Sequence, residues 1–94
     1  MDKTYLIPIE ECCNHYNVEV TFIDSLEEHG LIEPTIIEEQ KYIDQDYLYE
    51  FERLVNLHYH LDVNLEGIEV ITRLLKHIER MQKDMQQLRN LIKS

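Results

Sequence analysis

Ninety-four residues and 11.4 kDa make one small domain, and a chain this short buries only about 60–65% of the surface its unfolded form exposes. With 44% hydrophobic and 30% charged residues, but only two glycines and two prolines, the composition excludes disorder and points to a helix-rich globular chain. The formal charge of −10 is uneven: residues 1–66 carry sixteen Asp/Glu against three Lys/Arg (Lys3, Lys41, Arg53), whereas residues 67–94 carry three against six. An acidic body that repels phosphate backbones and anionic lipid thus precedes a basic tail. No stretch approaches the roughly 20 apolar residues needed to cross a bilayer. Met1-Asp2-Lys3-Thr4-Tyr5 is not a secretory start, so a cytoplasmic location is expected.

Tyr5-Leu6-Ile7 is a short apolar start, and Pro8 followed by Ile9, Glu10 and Glu11 is a helix-start signal, because the two acids complement the positive end of the helix dipole. A first helix is predicted over residues 9–16, broken at Asn17. A second carries Val20, Ile23 and Leu26 at a spacing of three, which predicts one apolar face, and Gly30 supplies its left-handed cap. Two short helices joined by a tight turn make a helix-turn-helix unit.

Leu31-Ile32-Glu33-Pro34 leads into residues 35–43, rich in β-branched residues around a polar centre, which predicts a small hairpin or wing. Asp44 is a good N-cap for a third helix, with Leu48, Phe51, Leu54, Val55 and His58 at helical spacing, ending near Leu61-Asp62-Val63. Asn64 caps a fourth helix that runs almost to the last residue. Its Ile71, Leu74, Ile78, Met81, Met85, Leu88 and Ile92 alternate intervals of three and four, an unbroken heptad seam. Three heptads span roughly 31 Å, more than the preceding short helices cover, so the helix is expected to pair with a copy of itself rather than fold back on its own domain. The chain divides accordingly into residues 1–63, a winged-helix-like domain, and 64–94, a dimerisation helix, in one structural unit.

Cys12, Cys13 and His15 are ligand-type side chains. Three of them within four residues of one short helix do not converge, and there is no CxxC or HxxxH partner, so no metal and no cofactor is expected. Adjacent cysteines close almost no loop and make a poor disulfide. His58 and His60, two apart, point to different sides of a helix. No glycine-rich phosphate loop or nucleophile elbow is present, which speaks against an enzyme. Glu27, Glu28, Glu33, Glu38 and Glu39 cluster around the second helix and the wing, with Asp24 one turn away. They form either a solvated face or a partner surface, and Phe22 among them is either its aromatic anchor or a core residue.

The stretch from Val18-Glu19-Val20-Thr21-Phe22-Ile23-Asp24 to Gly30-Leu31-Ile32-Glu33-Pro34 resembles the second helix and exit turn of MerR-like winged-helix domains. The wing, third helix, Asp62-Val63-Asn64-Leu65-Glu66-Gly67-Ile68 junction and final helix follow that order too. The fold implied is mainly all-α: a winged helix-turn-helix with a small β-wing and a long C-terminal coiled-coil helix. DNA-binding members carry arginines where this chain has Thr21 and Asp24, and a tyrosine pair where it has Ser25 and Leu26. The glycine-tyrosine-arginine start of the wing is replaced by Gln40-Lys41-Tyr42. An aspartate at such a position repels phosphate.

Leu6-Ile7-Pro8-Ile9-Glu10-Glu11-Cys12, the Phe22-Ile23 to Glu33 stretch, and Leu57-His58-Tyr59-His60-Leu61-Asp62-Val63-Asn64-Leu65-Glu66-Gly67-Ile68 resemble chaperone-modulator proteins of the CbpM-like family. That resemblance implies an acidic homodimer that binds the J-domain of a DnaJ-like co-chaperone, the curved-DNA-binding protein, and restrains it. An acidic surface would compete for the basic helix that a J-domain presents to its partner chaperone. The expected partner surface is Phe22, Asp24, Glu27, Glu28, Glu33, Glu38 and Glu39. The alternatives are a MerR-like transcriptional regulator that reads DNA as a dimer, with Lys3, Lys41, Arg53 or the basic tail on phosphates, and an assembly adaptor whose heptad helix pairs with another protein.

Overall fold

A computed structural model of the chain describes residues 5–93. Lys3 and Ser94 lie outside the described residues. The elements in order are strand β1 (Leu6–Pro8), helix α1 (Ile9–Tyr16), helix α2 (Val20–Glu28), strands β2 (Thr35–Ile37) and β3 (Gln40–Asp44), helix α3 (Leu48–Val55) and helix α4 (Leu65–Lys93). They form a winged helix-turn-helix head and a long C-terminal helix.

Pro8, at φ −57°, opens α1, and Glu10 and Glu11 occupy its first turn. Asn17 ends it in the left-handed conformation, φ 56°, where its amide bonds to the Cys13 carbonyl. α2 closes in a Schellman turn: the Leu31 amide bonds to the Leu26 carbonyl at 2.8 Å and the Gly30 amide to that of Glu27 at 3.0 Å. Gly30 stands at φ 70° with open space around its missing Cβ, so the backbone conformation alone demands glycine there.

The wing hairpin forms, with Ile37 opposite Gln40 and Thr35 opposite Tyr42. It has a third member. β1 pairs antiparallel with β3, Leu6 opposite Asp44 and Pro8 opposite Tyr42, giving the order β1-β3-β2. The two-residue turn is Glu38-Glu39, both at positive φ (49° and 67°), a conformation that hairpins usually reserve for Asn-Gly.

Asp44 is a cap, as expected, but of a 3-10 turn rather than of α3 itself. Its carboxylate accepts the Asp46 amide at 2.8 Å and starts a 3-10 turn, Gln45–Tyr47, from which α3 continues. α3 also stops short of the expected end and widens into a π-turn over Asn56–His60, followed by Asp62 at φ 55°. The wider turn carries His58 onto Phe22, the rings stacked 4.7 Å apart at 20°, and brings Tyr59 edge-on to the same phenyl ring. His58 Nδ1 lies 3.1 Å from the Val63 carbonyl, which ties the chain at the start of α4.

The core lies between α1, α2, α3 and the inner face of the sheet, around Phe51, Ile23 and Leu26. From α4, Ile68 is buried in it and Leu65 packs against it. The Asn64 side chain caps α4 by accepting the Gly67 amide at 2.8 Å. A Cβ on Gly67 would meet Val63 Cγ1 at 2.8 Å and Asn64 Oδ1 at 3.0 Å, so glycine leaves room for that cap.

Candidate functional site

Two surfaces stand out, one on α2 and the wing, the other along α4. On α2, Phe22, Ile23 and Leu26 face the core, and Val20, Thr21, Asp24 and Glu28 form the exposed ridge. This corrects two expectations. Val20, taken for the apolar face, is 48% exposed, because Phe22 and Ile23 together turn the buried side away from it. Phe22 is only 6% exposed and packed between the His58 and Tyr59 rings, so it is a core residue and offers nothing to an incoming partner.

The acids distribute over this ridge and its neighbours. Asp24 and Glu28 are exposed on α2, Glu38 and Glu39 on the wing turn, and Glu33 on the loop between them. Glu27 turns to the wing and accepts a hydrogen bond from Lys41 Nζ at 2.6 Å. That hydrogen bond, aided by the Glu27 and Asp24 charges and opposed by partial desolvation, raises the Lys41 pKa above its ordinary value. The cation of β3 is therefore held by α2 rather than offered outward.

A shallow cavity of about 310 Å³ gathers Glu10 of α1, Val20 of α2, and Glu39, Gln40 and Lys41 of the wing. The sequence marks Glu10 as a helix-start acid and Val20 as part of an apolar helix face. Only their neighbours across three elements bring them to this face, and no local pattern signals it. Glu27 and Glu33 line a second cavity, of about 550 Å³, with Lys76 of α4.

Cys12 and Cys13 are buried free thiols. Burial pushes the Cys12 thiol above its ordinary pKa, with Cys13 and Glu11 adding to it, and burial does the same for Cys13, helped by Asp24 and Glu10. Both stay protonated at neutral pH, poor as ligands and as nucleophiles. Among the described residues no group of three or more His, Cys, Asp or Glu side chains is placed to hold a metal ion.

On α4 the side facing the head and the heptad seam are different sides. At about 100° per residue, Leu65, Ile68, Thr72 and Leu75 share the line turned to the head. Leu74, Ile78, Met81, Met85, Leu88 and Ile92 fall roughly 80–160° around the helix from Ile68, and they are 48–84% exposed. Ile71, half-buried, sits between the two lines. The seam is thus an uncovered apolar stripe beside the head, not a surface folded back onto it. Among the described residues no helix is long and apolar enough to cross a membrane.

Comparison with curated proteins and with solved structures gives no match. The family described as MerR HTH family regulatory protein matches residues 7–90, from β1 through most of α4. With head, wing and final helix all inside that match, the chain belongs to the MerR helix-turn-helix family of regulatory proteins.

Proposed function

We propose that this chain is a non-catalytic modulator of a DnaJ-like co-chaperone, binding the basic surface of its J-domain through the acidic face of α2 and the wing. The observation that carries the reading is the state of that face. Where a winged helix meets DNA with cations, this one presents Asp24, Glu28, Glu38 and Glu39, and its Lys41 is engaged by Glu27 at 2.6 Å. A phosphate backbone is repelled there and a basic protein helix is attracted. The resemblance to CbpM-like modulators supplies the identity of the basic partner. Restraint follows if the acidic face occupies the surface that the J-domain shows to its partner chaperone. The second element of the proposal is a homodimer, built by pairing the stripe from Ile71 to Ile92 with its copy.

The test is a pair of titrations, against a J-domain and against random duplex DNA, at low and physiological salt. Saturable J-domain binding that weakens with salt, with no DNA binding, is expected. Charge reversal at Asp24, Glu28, Glu38 and Glu39 should lower J-domain affinity by about tenfold or more and flatten its salt dependence. DNA binding without J-domain binding would overturn the reading and leave a DNA-binding regulator in its place.

A further inference from the structure

We infer that α4 carries a second docking surface, of opposite sign to the first, which takes an acidic peptide segment of a partner protein. At about 100° per residue, Arg73, Lys76, Arg80 and Lys83 line one flank of α4, on the other side of Ile68 from the apolar stripe. Pairing of the stripe therefore leaves this flank open. The inference rests on this flank alone and stands whether or not a J-domain is the partner of the acidic face.

The upper end of the flank opens into a cavity of about 330 Å³ between α4, α3 and the Schellman turn. Arg53 of α3 joins Arg73 and Lys76 in its lining, and Leu31 and Tyr47 form an apolar wall. The lining also holds three carboxylates, equal in number to its Lys and Arg. Glu50 pairs with Arg53 at 3.1 Å and Glu69 with His29 at 3.5 Å, and Glu79 stands one turn further along α4. Arg73 and Lys76 have no carboxylate at ion-pair distance among the described residues. Taken with Arg80 and Lys83 beyond the cavity, the flank sets four cations against Glu69 and Glu79, a local excess of positive charge in a chain of net charge −10.

The spacing favours a peptide over nucleic acid. The four flank cations cover roughly 15 Å of the helix axis, the length of about five extended residues. Glu69 and Glu79 stand among them, so single carboxylates find sites between the acids while a continuous row of phosphates meets repulsion. The Leu31 and Tyr47 wall accepts the apolar part of a peptide chain.

A fluorescein-labelled peptide of alternating Glu and Ser, followed by anisotropy at low and physiological salt, tests this surface in the intact chain. Saturable binding is expected, weakened at least about tenfold by Arg73→Glu with Lys76→Glu. The control pair Arg89→Glu with Lys93→Glu makes the same charge change off the flank and should weaken binding less than about twofold. Circular dichroism checks the helix content of each variant, and Arg73→Gln with Lys76→Gln interrogates the same face should the reversed pair unfold. Equal losses from the two reversed pairs would mean diffuse attraction and overturn the proposal. So would an absence of saturable binding up to ~1 mM, or displacement of the peptide by duplex DNA at lower concentration than by unlabelled peptide.

Discussion

The head and α4 spend the same kinds of side chain to opposite ends. In α3 the apolar residues Phe51, Leu54 and Val55 recur at helical spacing and are buried under α1, α2 and the sheet. Beyond Leu75 the apolar residues of α4 recur as regularly, and every one of them is exposed. The comparison separates two properties that periodicity runs together. A period tells which residues share a face. Whether the face is buried depends on what else the chain brings to it, and among the described residues the stripe from Ile78 to Ile92 stays exposed.

The contrast is broken most forcefully from the side of the head. Phe51→Ala removes a fully buried ring at the centre of the core and should cost about 3–5 kcal/mol, enough to unfold a domain of this size at ambient temperature. Denaturant titration followed by circular dichroism measures it. On α4, Ile78→Glu with Met85→Glu should leave the head folded and abolish pairing, raising the dissociation constant by at least about a hundredfold. Sedimentation reads the mass. Near-ultraviolet circular dichroism reads the head alone, since all six tyrosines lie between residues 5 and 59. A native chain that sediments as a monomer, with the stripe wet, would instead demand a partner other than its copy.

The smallest effect sharpens the comparison through pH. Among the described residues every resolved shift lies in the head and every one is upward: Cys12 and Cys13 from 9.0, Tyr16 and Tyr47 from 10.0, Lys41 from 10.5. For each, the folded chain holds its proton at a pH where the unfolded chain has lost it. Stability is therefore full below about pH 9 and falls as pH rises through the folded values, first by way of the thiols and then the tyrosines and the lysine. The denaturant midpoint should decline from pH 9 to 11. A flat midpoint across that window would show that these groups see the same surroundings folded and unfolded.

Much of this architecture is legible in the chain because its punctuation is local. Pro8 and Asn17 bound α1, Gly30 ends α2, and Asn64 starts α4, each acting through its own side chain or its own φ. What escaped depends on distant residues. Three residues of β1 have no period of their own and become a strand only against β3. The π-turn is invisible in the spacing of α3, yet it decides which side of His58 meets Phe22 and so makes Phe22 a core residue. The acids of the candidate face are readable as exposed positions. Their convergence with Glu10 and Val20 needs three elements folded together.

The long helix has a mechanical consequence. α4 leaves the head at Asn64 and carries its last stripe residue, Ile92, roughly 40 Å away, so each degree of tilt at the junction displaces that end by roughly 0.7 Å. The contacts that resist such tilting lie at the near end of the helix, among them Ile68 in the core, Leu65 against it, the His58 to Val63 bond, and the His29 to Glu69 pair. A lever so long on so small a pivot amplifies in both directions. Whatever clamps the far end of α4 sets the angle of the head, and whatever seats itself on the head moves the far end.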